Sequence, residues 1–102
     1  MLDAGAGTGY YLARVLQAAP TARGLALDVS KFAARRAARA HPRVGAAVSD
    51  TWRALPVHDD SVDVVLNVFA PRNGPEFARV LKPDGLLIVV TPTARHLAEL
   101  AD

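Results

Sequence analysis

Asp3-Ala4-Gly5-Ala6-Gly7-Thr8-Gly9 sets three glycines at alternate positions, directly behind Met1-Leu2 and directly before a run with helical periodicity. Glycine reaches positive φ at little cost and has no side chain, so the backbone there can turn sharply and come close to a neighbour. Alternating glycines pack poorly in a strand, which implies a loop that something must approach. The run behind it repeats apolar residues at Tyr11, Leu12, Val15, Leu16 and Ala19, the spacing of one helix face. The start of such a helix offers unpaired N–H groups and a positive dipole end to whatever lies in the loop.

Met1-Leu2-Asp3 reads as the end of a buried first strand, and the remainder continues the alternation of strand and helix. Pro20 closes the first helix, and Gly24-Leu25-Ala26-Leu27-Asp28-Val29 reads as a strand ending in an acid. Ser30 is a good N-cap for a helix over 31–40, which His41-Pro42 terminates. A strand over 44–48 ends at Ser49-Asp50, and 51–60 is a polar connection. The β-branched run 63–69 is a fourth strand, broken by Ala70-Pro71. A short helix from Pro75 ends at Lys82-Pro83-Asp84-Gly85, and 86–90 is a fifth strand whose continuous apolar character predicts cover on both faces. Residues 96–101 read as the start of another helix. Strands alternating with helices predict a mostly parallel α/β sheet of about five strands with right-handed crossovers.

Length and composition narrow the function classes. A chain of 102 residues is one domain, and 51% hydrophobic content excludes disorder. The longest apolar stretches, 62–70 and 86–90, fall short of the roughly 18–20 residues that span a bilayer. No basic, apolar, small-residue leader is read at the N-terminus. With no cysteine, disulfides and thiolate metal sites are excluded; no metal is expected in this chain, and a cytoplasmic location is. The net charge of +2 does not by itself argue for nucleic acid. Between Asp28 and Asp50, however, every charged residue is basic: Lys31, Arg35, Arg36, Arg39 and Arg43. The plain reading is the solvated face of an Arg/Ala-rich helix; contact with phosphate is the other.

Two cofactor classes use a glycine loop of this kind. The dinucleotide fingerprint requires G-x-G-x-x-G, but the third glycine falls on Tyr10 counting from Gly5 and on Leu12 counting from Gly7. Asp-x-Gly-x-Gly-x-Gly instead resembles motif I of the class I S-adenosylmethionine (SAM)-dependent methyltransferases. Ligands of parallel sheets bind beyond the strands' carboxyl ends, and Asp3 with Gly5, Asp28, Asp50 and Asn67 to Pro71 all fall there. Asp28, followed by Val29, stands 19 residues beyond Gly9, near the offset of about 20 at which an acid accepts ribose hydroxyls; capping beside Ser30 is its alternative role. Asp50 can accept an adenine amino group or cap a following short helix. Asp3, Gly5 and Gly7 fall near the methionine end of such a cofactor, with Tyr10 and Tyr11 flanking it, one of the two packing in the core. Asn67, Ala70 and Pro71 close the site from the fourth strand. Methyl transfer is an in-line displacement in which alignment does much of the work, and an acceptor such as guanine N1 must also lose a proton. His58 and His96 qualify as a base by residue type only, and the catalytic residue stays unassigned.

Leu2 to Tyr11, Gly24 to Lys31, Leu55-Pro56, Phe69-Ala70-Pro71, Ala78 to Gly85 and Thr91-Pro92-Thr93-Ala94-Arg95-His96-Leu97 together resemble the 23S ribosomal RNA (guanine-N1)-methyltransferases. The likeness covers essentially the whole chain. The Tyr-Tyr pair, Asp-Val-Ser-Lys, the Ala-Pro turn and the Pro-x-x-Arg-His-Leu tail are its discriminating parts. The resemblance implies a Rossmann-like core over 1–102, with SAM contacts near Asp3, Gly5, Asp28 and Ala70-Pro71, and Arg95-His96-Leu97 near the cleft. It further implies a 23S rRNA hairpin as partner, N1-methylguanine as product and, for some members, macrolide resistance. The family carries an N-terminal cysteine zinc module and a seven-strand domain. The resemblance therefore implies a core truncated at both ends. A small-molecule (type 11-like) SAM methyltransferase and a non-catalytic SAM-binding remnant share these features and stay open.

Overall fold

The computed structural model describes residues 1–91. The expected helix over 96–101, with Arg95-His96-Leu97, lies outside the described residues. The elements follow in the order β1 (Leu2–Ala4), α1 (Tyr10–Ala18), β2 (Gly24–Asp28), α2 (Lys31–Ala38), β3 (Val44–Val48), β4 (Val62–Val68), α3 (Gly74–Val80) and β5 (Leu81–Val90). The five strands form one sheet in the order β3-β2-β1-β4-β5, parallel throughout. The chain steps outward from β1 to β3, then returns to β4 on the other side of β1. That reversal opens a crevice beyond the carboxyl ends of β1 and β4.

The pleat assigns side chains to faces. Asp3 pairs with Ala26 and Ala4 with Leu27 across β1 and β2, so each pair shares a face. Leu12 and Leu16 of α1 and Ala37 of α2 cover Ala26 and Val44 on one side. Phe77 and Val80 of α3 cover Leu2, Ala4, Leu27 and Val65 on the other, with Leu55 from the connection behind β3. Each fully buried leucine contributes roughly 2 kcal/mol relative to exposure.

Local chemistry fixes the helices. Ser30 caps α2 as its sequence predicts, its hydroxyl accepting from the Ala33 N–H at 3.2 Å. Arg43 is not part of a basic stripe. Its guanidinium donates to the carbonyls of Leu16 (2.6 Å), Ala19 (2.7 Å) and Ala22 (2.6 Å), placing a cation at the C-terminal end of α1 and tying the turn behind it to the start of β3. Gly9, at φ 80°, starts α1 against α2: a Cβ there would lie 3.0 Å from the Ala37 Cα, so only glycine lets the two helices approach this closely.

Two expectations need correction here. Pairing of β5 begins at Leu81, earlier than 86, and steps from Val62↔Leu81 to Val64↔Leu86, so the Lys82-Pro83-Asp84-Gly85 stretch bulges out of the ladder instead of preceding the strand. Nor is β5 covered on both faces. Among the described residues it is one of the two edge strands, and Leu86, Leu87, Ile88 and Val90 are all exposed. A continuous apolar run reports what a strand could bury, not what packs on it.

Candidate functional site

Two adjoining cavities open at the switch point and share Gly5. One, of about 220 Å³, is lined by Asp3, Gly5, Gly7, Tyr10, Tyr11 and Val68, among others. The second, of about 320 Å³, lies between Asp28, Val29, Asp50, Trp52, Phe69 and the Ala70-Pro71 turn. Every cofactor-site residue expected from the sequence lines one or the other, except Asn67.

The loop between them is held from several directions. Gly5 has φ 79°, and a Cβ there would meet the Ala70 Cβ at 2.7 Å; its glycine identity lets the loop after β1 touch the loop after β4. The N–H groups of Gly5 and Ala6 both donate to the Leu27 carbonyl, at 2.8 and 2.9 Å. Asp28 completes the arrangement. Its Oδ2 accepts from the Gly7 N–H at 2.8 Å and its Oδ1 from the Ser30 N–H at 2.9 Å. Loop latch and turn anchor are thus both real roles of Asp28, and each carboxylate oxygen keeps a second lone pair for a hydroxyl donor. At Gly7 a Cβ would meet nothing within 4 Å, so the loop faces open space where a ligand can lie against backbone.

Asn67 is placed differently from the rest. It is 1% exposed, and its Nδ2 donates to the carbonyls of Ala4 (3.3 Å) and Pro71 (3.0 Å), strapping the end of β1 to the turn behind β4. It shapes the site from behind. Asp3 is 2% exposed and its Oδ1 has no hydrogen-bond partner. Burial chiefly, and the nearby Asp28 charge secondarily, push its carboxyl up to about 7. An unpartnered acid at the floor of a cavity is the feature that a cationic ligand group would relieve. Asp50 caps no helix: its Oδ1 accepts from the Trp52 N–H at 3.0 Å in a turn, and the carboxylate stays accessible at the cavity rim.

The tyrosine pair also departs from expectation, since neither ring packs in the core. Tyr10 is 62% and Tyr11 47% exposed; they meet edge to face at 5.2 Å, and Tyr11 meets Phe69 likewise at 6.3 Å. Phe69, 53% exposed, adopts φ 52°, a left-handed backbone that a bulky residue rarely takes, and it lines the larger cavity.

The crevice at the parallel-sheet reversal thus brings together a glycine loop and an acid near the carboxyl end of each of β1, β2 and β3. Residues 1–85 match the family model described as a methyltransferase domain. The chain belongs to the methyltransferase domain family. A Micromonospora griseorubida protein provisionally named a 23S rRNA (guanine-N(1)-)-methyltransferase is 72% identical over 102 residues, covering 100% of this chain and 35% of that protein. The 23S rRNA (guanine(748)-N(1))-methyltransferase of Streptomyces fradiae is 58% identical over 102 residues, covering 100% of this chain and 36% of its own length. The chain thus spans about a third of the length of these relatives. Among solved structures, the YcgJ protein of Bacillus subtilis matches with TM-score 0.73 and 27% identity over 98% of this chain and 48% of that one.

Within this methyltransferase domain, sequence reasoning passed over Trp52 and Thr51. Both line the larger cavity beside Asp50. The available signal is a large aromatic two residues behind the third strand-end acid, Asp50. That wall is braced by α3 and the turn before it. Asn73 Nδ2 donates to the carbonyls of Thr51 (2.9 Å) and Arg53 (3.3 Å), and Glu76 Oε1 accepts from the Leu55 N–H at 2.6 Å. Arg79 pairs with Glu76 and Asp59 and donates to the carbonyls of Val57 and Leu55. His58 lies in this connection, exposed, and lines neither cavity.

Proposed function

We propose that this chain is the SAM-binding core of a methyltransferase that acts on N1 of guanine in a 23S rRNA hairpin. The observation that carries the proposal is the pair of cavities meeting at Gly5, with Asp28 and Asp50 along one and the buried, unpartnered Asp3 at the floor of the other. The residues fit the cofactor. Asp28 offers lone pairs to ribose hydroxyls, Asp50 and the flat side chain of Trp52 suit an adenine ring, and Asp3 suits the cationic methionine end. When bound there, SAM supplies a methyl group activated by its sulfonium.

The chain's own residues then do three things. The glycine loop lets the backbone lie against the ligand, and the Asp28 latch holds that loop in one geometry, so alignment is set before the acceptor arrives. Asp3 contributes negative charge where water is excluded, which strengthens its attraction for a cation. Tyr10, Tyr11 and Phe69 form an exposed aromatic rim against which a planar base can stack. The names of the two relatives, at 72% and 58% identity, support guanine N1 over a small-molecule acceptor.

The test is transfer of a labelled methyl group from SAM to a 23S rRNA hairpin, followed by nucleoside analysis. Label in N1-methylguanosine is expected. Label in another nucleoside would overturn the acceptor assignment, and a folded chain that binds no SAM would overturn the reading altogether.

A further inference from the structure

A further groove, whose arginines have no role assigned above, runs between α1 and α2. It has a volume of about 660 Å³ and is lined by Arg14, Arg36, Arg39, Gln17, Thr8 and Tyr10, among others. We propose that this groove holds the phosphate backbone of the substrate RNA and leads it to the glycine-loop cavity; the proposal rests on the RNA-methylating reading.

Charge is the first argument. Residues 1–49 carry seven Lys and Arg side chains against two Asp, whereas residues 50–102 carry five against eight acids, giving the overall +2. Neither α1 nor α2 contains an acidic residue, and the groove lining has no carboxylate. Among the described residues Arg14, Arg36 and Arg39 make no ion pair; Arg36 stacks over Phe32, 5.8 Å from the ring centroid. Three exposed guanidiniums facing one groove repel one another until an anion lies between them. Arginine matches phosphate with a planar fork of donors, and Gln17 adds an amide donor.

Continuity is the second argument. Thr8 and Tyr10 line both this groove and the Gly5–Gly7 cavity, so the two are one surface. From Tyr10 the edge-to-face rings of Tyr11 and Phe69 continue to the rim of the Asp28 cavity. A basic track ending in exposed aromatic rings is how single strands are held, phosphates on arginine and bases on rings.

The structure also says which basic residues stand apart. Arg43 spends its guanidinium on three carbonyls in and just behind the last turn of α1. Lys31 and Arg35 line a separate groove beside β3. The basic run in the sequence is therefore three different things, and only Arg36 and Arg39 belong to the track, joined by Arg14 from another helix.

The experiment is fluorescence anisotropy of a fluorescein-labelled 23S rRNA hairpin with the full chain across a salt series, with S-adenosylhomocysteine (SAH) affinity measured in parallel. Arg14→Ala/Arg36→Ala/Arg39→Ala should weaken RNA binding on the order of a hundredfold near 0.1 M salt and flatten the log–log salt slope by about 2–3. SAH affinity should stay unchanged, which shows that the variant is folded. Lys31→Ala/Arg35→Ala should leave RNA binding within about twofold. A triple variant that binds SAH normally and RNA with the wild-type affinity and slope would overturn the proposal. So would a wild-type chain that binds SAH but not the hairpin, or one that binds polyglutamate as tightly, which would mark the groove as a site for acidic protein. Failure of the cofactor reading looks different: RNA binding that depends on the three arginines, with no SAH binding at all.

Discussion

The centre and the edge of this sheet are built from similar residues and end in opposite states. Leu2, Asp3 and Ala4 of β1 are 0–2% exposed, flanked by β2 and β4 and covered by helices on both faces. Leu86, Leu87, Ile88 and Val90 of β5 are 38–58% exposed. The difference teaches where the molecule invests its organisation. At the centre, burial is carried far enough to strand a carboxyl group, and hydrogen bonds accepted by Asp28 and donated by Asn67 lock the loops above it. At the edge, an apolar strand presents a surface of the kind that other polypeptide usually covers. The relatives have nearly three times the length of this chain.

The contrast can be broken most severely at Gly5. Gly5→Val places a β-branched side chain at φ 79° and against Ala70, so the two loops must part. SAH affinity should fall by at least about a hundredfold, with stability down by about 3 kcal/mol or more, read by calorimetry and urea unfolding. Wild-type binding by this variant would mean that the loop contact does not form the site.

Asp3 sharpens the comparison through pH. Its folded-state carboxyl, at about 7 against an ordinary 3.8, holds its proton to higher pH than the unfolded chain does. Stability of the ligand-free protein should therefore be greatest at the acid side of this window and decline as pH rises from about 4 to 7. The decline is on the order of 2–4 kcal/mol. Asp3→Asn should abolish that decline while weakening SAM binding. Parallel pH–stability curves for the two proteins would contradict the assignment.

Asp28→Ala should cost about 1–3 kcal/mol of SAH affinity, because it removes both an acceptor and the Gly7 latch. The smallest effect belongs to the edge. Leu86→Lys/Ile88→Lys should change stability by no more than about 0.5 kcal/mol and leave SAH affinity untouched, read by urea unfolding and calorimetry. A large loss of stability there would show that β5 is packed after all.

Most of the scaffold was legible from local signals. Alternating glycines, the Ser30 cap, Pro20 and Pro42 fix where elements begin and end, and short apolar or β-branched runs mark the strands. The strand-end acids were legible because a parallel sheet sends every carboxyl end to one side. What escaped is set by contacts distant in sequence. Nothing near Arg43 reveals that it caps a helix ending more than twenty residues earlier. Asn67 reads as a ligand-facing amide, yet pairing of β4 with β1 turns it inward onto Ala4 and Pro71. Tyr11 falls on the apolar stripe of α1 by spacing, but the helix rolls so that Leu12, Ala13 and Leu16 face the sheet. Trp52 becomes a cavity wall only because Asn73 and Glu76 hold its connection in place.

The most direct test is calorimetric titration of the purified chain with SAH, alongside Asp28→Ala. One site of micromolar affinity in the wild type, weakened about 5- to 150-fold in the variant, is the expected result, consistent with loss of about 1–3 kcal/mol. A wild-type chain that is folded by circular dichroism yet gives no binding heat at several temperatures, or a variant that binds as the wild type does, would contradict the assignment of this crevice as the cofactor site.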